Sequence, residues 1–222
     1  MSEWPIPRVL RTCVYIDGFN FYYGAVKGTP YKWLDFSKLC GFLLPKSQIE
    51  KINYYTARVK PPPDDPQQQT RQQAYLRALA TIPNLETHFG LFTRHKVYRP
   101  VAGYIPLGGS KKGDRQTIRI VRTEEKGSDV NLASHLLHDG HLGRYDLAVL
   151  ITNDSDLVTP IKLVREDLGL DVGVLNPQKH PSHELAGVAT FMKTIRSGVV
   201  SQSQFPATLK DSKGVFRKPA TW

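Results

Sequence analysis

Residues 146–151, Asp-Leu-Ala-Val-Leu-Ile, form an apolar run of strand length with almost no polar interruption. A strand with one face in water alternates apolar and polar residues; an unbroken run belongs to a strand covered by helices on both faces. This segment therefore commits the chain to a buried, largely parallel sheet. Strand and helix patterns alternate on either side of it, which implies an α/β fold with right-handed crossovers. Sheets of this kind bind ligands beyond the carboxyl ends of their strands, where the strand order reverses.

The remaining elements follow from the same periodicities. Residues 12–16 read as a short buried strand emptying into Asp17-Gly18, and 52–59 as a second strand stopped by Pro61-Pro62-Pro63. Asp35 caps a short helix through Leu43, and Asp65-Pro66 opens a Gln-rich helix to about Ala80. Tyr75, Leu76, Leu79 and Ile82 recur at helical spacing and read most simply as core, with a dimer face left open. Residues 85–92 are a third strand; 97–107 and 116–122, joined by a Gly/Lys-rich loop, read as a basic hairpin inserted at about 93–123. Helices are expected from Gly127 or Ser128 to near Gly140, over 157–168 and over 183–189, with a strand at 171–175. One domain, 1–197, accounts for this pattern, followed by a basic tail at 198–222 open to flexibility or to docking on a partner.

Four aspartates fall on one rim of such a fold. Asp17 and Asp154 follow strands, Asp156 lies in the next turn, and Asp129 sits in the first turn of a helix. Each has a structural explanation alone, as an N-cap, a turn residue or a partner of a helix dipole. Together they point to a divalent-cation site, because clustered like charges need a cation or protons to neutralise them. Mg²⁺ or Mn²⁺ suits such oxygen donors. Asn20 is placed to orient Asp17 or to bond the local turn, and Glu125 to join Asp129 or to stay in solvent. Thr152, Asn153 and Ser155 surround Asp154 without carrying the chemistry themselves.

The acidic rim stands in a basic chain, with a net charge of +10 over 222 residues. Arg94, Lys96 and Arg99 form one cluster; Lys111, Lys112, Arg115, Arg119 and Arg122 form another, and Lys126 adds to them. Tyr98 and Tyr104 are interleaved, the combination expected of an RNA-binding surface, although a solvated hairpin face has the same composition. No apolar run reaches the length of a membrane span and the first residues lack a secretory pattern, so a cytoplasmic, membrane-free protein is expected. Cys13 and Cys40 lie in apolar contexts and read as reduced core thiols.

Three blocks carry a family resemblance: Tyr15-Ile-Asp-Gly-Phe-Asn-Phe-Tyr-Tyr-Gly24, Glu125-Lys-Gly-Ser-Asp-Val130 and Ile151-Thr-Asn-Asp-Ser-Asp-Leu157. In order and spacing they resemble the NYN domain, in its LabA-like branch, within the PIN-like nuclease superfamily. The resemblance spans about residues 10–196. It implies a three-layer PIN-like α/β/α sandwich and metal-dependent ribonuclease activity, with Asp17, Asp129, Asp154 and Asp156 as the acidic site and Asn20 as its polar companion. Asn153 stands where the family often has glycine.

Other classes lose support. The chain lacks a P-loop, a nucleophile elbow and a dinucleotide glycine pattern. His135, His138 and His141 recur at three-residue steps that match no standard zinc spacing, and surface or helix-end roles are expected for them. The expectation is an endoribonuclease, with a non-catalytic RNA-binding module or a metal-dependent DNase or phosphatase as alternatives. A protein inhibitor or regulator is left open, since these residues show none.

Overall fold

The structure is a computed structural model that describes residues 9–61, 64–101 and 117–222. Its frame is a seven-stranded sheet built on β1 (Leu10–Asp17), β2 (Ser47–Ala57), β3 (Leu85–Pro100), β4 (Thr117–Lys126), β5 (Leu147–Ile151), β6 (Asp171–Asn176) and β7 (Phe191–Thr194). The strand order is β4-β3-β2-β1-β5-β6-β7, parallel throughout except for the β3/β4 pair. From β1 the chain winds outward first through β2 and β3, then crosses back to β5 and winds the other way. The reversal lies between β1 and β5, so the end of β1 at Asp17 and the end of β5 before Thr152 flank the crevice expected to bind ligand.

The apolar run at 146–151 supplies β5, and all five residues of that strand are buried. Alternate side chains divide between two cores. Val14, Ile16, Ile52, Val149 and Ile151 pack on one face with α2 (Phe36–Leu43) and α3 (Gln68–Leu79). Tyr15, Tyr55, Ala148 and Leu150 pack on the other against α4 (Ser128–His141) and α5 (Val158–Glu166). Burial of a Leu, Ile or Val contributes roughly 1.5–3 kcal/mol, so both faces hold the sheet and strand register cannot slip without exposing one of them. The result is a mixed α/β fold with a largely parallel sheet and flanking helices, consistent with a PIN-like arrangement though not a clean three-layer sandwich.

Two elements account for the irregularity. The third strand and the first arm of the basic hairpin are one continuous strand: β3 pairs with β2 over Leu85–Gly90, then with β4 over Leu91–Pro100. A break between them was expected from composition, but the change of neighbour at Gly90 leaves the backbone extended. The residues after 197 form α7 (Ser197–Gln202) and a hairpin of β8 (Thr208–Asp211) and β9 (Gly214–Arg217). Arg77 of α3 holds that hairpin through paired hydrogen bonds of 2.7 Å to Asp211, and its guanidinium also lies 4.1 Å from the centre of the Phe216 ring. Trp33, fully buried, donates its indole hydrogen to the Pro206 carbonyl and meets the Phe205, Phe216 and Trp222 rings. Basic composition hid this docking, because few aromatic anchors suffice to hold a polar segment.

Other boundaries shift modestly. β2 begins at Ser47, and the Gln-rich helix begins at Gln68, with Asp65 pairing with Arg71 instead of capping. Cys13 and Cys40 are free and buried, and burial raises their thiols to about 11 and about 12. Among the described residues no helix is long and apolar enough to cross a membrane.

Candidate metal centre

Asp17, Asp129 and Asp154 converge at the reversal point, each offering a carboxylate oxygen within 4.8 Å of the others. Each is delivered by the start of a helix. Asp17 ends β1 and caps α1 (Gly18–Phe21), its Oδ1 accepting from the Asn20 backbone N–H at 2.9 Å. This tight exit requires glycine at 18, where a Cβ would stand 2.6 Å from the Tyr55 carbonyl oxygen and 2.8 Å from the Tyr54 ring. Asp154 caps the short 3₁₀ turn Ser155–Leu157 in the same way, accepting from Asp156 N–H at 3.0 Å. Asp129 lies in the first turn of α4, which Gly127 enters with a left-handed φ of 93°. The capping and metal readings of these aspartates are therefore compatible: one oxygen caps while lone pairs remain for a cation.

The site is wired by polar residues between the carboxylates. Buried Thr152 donates to Asp17 Oδ2 at 3.2 Å and accepts from Asp154 N–H at 3.1 Å, joining the two strand ends. The Asn20 side-chain oxygen accepts from the Asn153 N–H and from Gln178 Nε2, each at 3.1 Å, and so ties the first block to the third. Asn153 in turn donates to the His180 carbonyl and accepts from Ser182 N–H. It does so with negative φ, since among the described residues no non-glycine has a left-handed backbone, so the missing glycine costs no strain there. Glu125 caps α4 by accepting from Ser128 N–H at 3.1 Å and lines the same cavity of about 380 Å³ as the three aspartates.

The charges of the cluster act on one another. Burial, opposed by hydrogen bonds from Asn20 and Thr152 and joined by Asp154, raises the Asp17 carboxyl above its ordinary range. Asp129 is pushed up to about 6, first by burial and then by the charges of Asp17, Asp154, Glu125 and Asp156. Burial first, and neighbouring charge second, disfavour ionisation here, and a cluster of three carboxylates in that state is able to coordinate a divalent ion. Asp156 lies outside the converging group; it is exposed on the 3₁₀ turn and acts on Asp129 through space. Ser155 is exposed beside it.

The register of the β3/β4 ribbon sorts the expected RNA-binding cations. Phe92 opposes Glu125 and both line the acidic cavity, so alternation puts Arg94, Lys96, Tyr98 and Arg119 on that face. Arg99, Arg122 and Lys126 fall on the reverse face, where Glu124 pairs with the latter two. Lys111, Lys112, Arg115 and Tyr104 lie outside the described residues.

Sequence reasoning missed Gln178, Ser128 and the aromatic rim of Phe19, Tyr23 and Phe92, all of which line the cavity. Asn176-Pro177-Gln178, where β6 ends, was a legible signal, being a turn at a third strand end. His135 is half-buried: its Nδ1 shares a 3.0 Å hydrogen bond with the Tyr55 hydroxyl, and its ring meets that of His88.

Three likenesses accompany this geometry. The NYN domain family matches residues 11–195. A 6-hydroxy-3-succinoylpyridine 3-monooxygenase from Pseudomonas putida is 32% identical over 240 residues, covering 96% of this chain and 75% of that protein. The crystal structure of a protein of unknown function from Vibrio parahaemolyticus shares the fold with a TM-score of 0.54 at 16% identity, covering 87% of this chain and 97% of that one.

Proposed function

Because the chain belongs to the NYN domain family, we propose that it is a Mg²⁺- or Mn²⁺-dependent endoribonuclease hydrolysing RNA phosphodiester bonds in the LabA-like, PIN-like manner. One observation carries the reading: the carboxylate oxygens of Asp17, Asp129 and Asp154 meet within 4.8 Å at the sheet's reversal point. These three residues would hold the ion. When bound, a divalent ion supplies Lewis acidity toward the phosphate and a nucleophilic water near neutral pH. Thr152 and Asn20 hold the carboxylates in register, and Glu125, at the cavity wall, adds an acceptor for a proton. Arg94, Lys96 and Arg119 extend a positive face away from the site, so a polyanion is held where the local carboxylates alone would repel it. The buried free thiols accord with a cytoplasmic protein.

The test is a time course on labelled RNA with Mg²⁺, Mn²⁺ or EDTA. Cleavage should need the metal, and Asp129→Asn and Asp154→Asn should lose most of it while remaining folded. Full activity in either folded variant sinks the assignment. Parallel DNA and phosphomonoester substrates separate DNase or phosphatase chemistry, and tight salt-sensitive binding without turnover identifies a non-catalytic module.

A second reading is favoured by the Pseudomonas relative, whose 32% identity runs over 96% of this chain. On that reading the chain oxygenates a pyridine substrate, a reaction that also requires molecular oxygen and a two-electron donor. Incubation with 6-hydroxy-3-succinoylpyridine, ¹⁸O₂ and a reduced nicotinamide, followed by mass spectrometry of all products, distinguishes the two by consumption of the substrate with one ¹⁸O atom recovered in a product and the other in water.

A further inference from the structure

Beside the carboxylate cavity lies a larger one of about 460 Å³, and Phe19, Tyr23 and Phe92 line both. The Phe19 and Phe92 rings stand 6.0 Å apart, and Tyr22 meets Tyr23 edge-on at 5.3 Å, so the passage between the cavities is bordered by aromatic surface. Deeper polar groups are engaged within the protein. Tyr75 donates its hydroxyl to the Leu34 carbonyl, and Gln72 bonds the backbone of Ala57 and Val59. The remaining lining is mostly ring and aliphatic surface, with Thr56, Gln68 and the paired Asp65 and Arg71 among its polar groups. Cationic groups stand at its edge, where Arg94 is oriented by donating to the Lys60 carbonyl at 3.2 Å.

Volume, rings and charge together define a ligand class. A cavity of this size falls within the range of small-molecule sites. Aromatic walls select flat rings by stacking, and Arg94 and Lys60 favour an anionic substituent. We propose that this cavity is a ring subsite of the same centre, taking one planar aromatic or heteroaromatic ring whose anionic group lies toward Arg94 at the cavity edge. The proposal rests on the reading of that cavity as the reacting centre. Two sources present this chemistry: a nucleobase with its attached phosphate, or a free pyridine-type acid.

Calorimetric titration in Mn²⁺ buffer with uridine 5′-monophosphate, adenosine 5′-monophosphate and 6-hydroxy-3-succinoylpyridine tests it. Saturable binding of at least one probe is expected, weakened about tenfold or more by Phe92→Ala and by Tyr23→Ala, and little changed by Arg122→Gln on the reverse face. Tyr23 is 61% exposed, so its truncation leaves the core intact. Tighter mononucleotide binding assigns the ring to a polynucleotide; tighter succinoylpyridine binding assigns it to a small acid. Absence of saturable binding by every probe, or indifference to both aromatic substitutions, overturns the subsite. Loss of the ribonuclease reading looks different: RNA stays uncut while ring binding and its dependence on Phe92 persist.

Discussion

Thr152 donates its hydroxyl hydrogen to Asp17 Oδ2 across 3.2 Å, a bond between the ends of two neighbouring parallel strands that lie 135 residues apart in sequence. Both partners are buried, so the bond holds the ionised form of a carboxyl that burial otherwise disfavours. Thr152→Val preserves shape and removes this donor. Metal affinity should fall about tenfold to a hundredfold, the effect typical of losing a group that orients a ligand. Thr152→Ser should retain most of it. A Mn²⁺ titration that finds Val and Thr equal would remove Thr152 from the site.

Asp129 predicts an inverse relation between activity and stability. Its folded carboxyl titrates at about 6, above the ordinary unfolded value. A raised carboxyl stabilises the fold below its unfolded pKa, and that contribution is lost as pH rises through about 6. In EDTA at pH 7.5, Asp129→Asn should therefore melt higher than the parent, by roughly 2–4 °C, the shift that about 1 kcal/mol produces in a chain of this size. The group is half exposed, so solvent screening keeps the effect small. The difference should shrink by pH 5, and Mg²⁺ at pH 7.5 should stabilise the parent more than the variant. A variant that melts lower at both pH values contradicts the charge argument.

The ribbon makes a face-specific prediction. Replacing Arg94, Lys96 and Arg119 together by Gln should weaken RNA binding and reduce the slope of log affinity against log salt by about 2, from three lost phosphate contacts at roughly 0.7 each. The same change at Arg99, Arg122 and Lys126 should do less, because those side chains occupy the reverse face. Equal losses in both triples would show that binding does not follow the strand register.

The docked hairpin has its own acid signature. Arg77 holds Asp211 down to about 2, chiefly through their hydrogen bonds. A depressed carboxyl contributes stability above its unfolded pKa and loses it as pH falls toward the folded value, here between about 4 and 2. Arg77→Met should raise hydrogen exchange across 208–217 at neutral pH while leaving β1 and β5 protected. Unchanged exchange in the hairpin would show that the aromatic contacts around Trp33 suffice.

How much of this was legible depended on whether the determinant was local. The β5 run, the aspartates at strand ends and the α4 start were readable because burial and capping leave periodic or short-range signals. The convergence of Asp17, Asp129 and Asp154 followed from topology once a parallel sheet was inferred, whereas Asp156, adjacent in sequence, lies exposed on the 3₁₀ turn outside that group. Gln178 and the aromatic rim escaped, since Phe19 and Phe92 acquire their meaning only from a contact between residues 73 positions apart. The resting place of the tail was illegible for a related reason: net charge describes solvent-facing atoms, whereas Phe216 and Trp222 meet the buried Trp33.

At Gly90, β3 trades one neighbour for another, serving the rigid sheet on one side and the projecting ribbon on the other. Phe92 and Glu125, paired just past that joint, still belong to the acidic cavity, whereas the described ribbon from Arg94 outward leaves the wall fixed by β2. A change of length or sequence in that outer part would alter the face beside the cavity while leaving the carboxylates undisturbed.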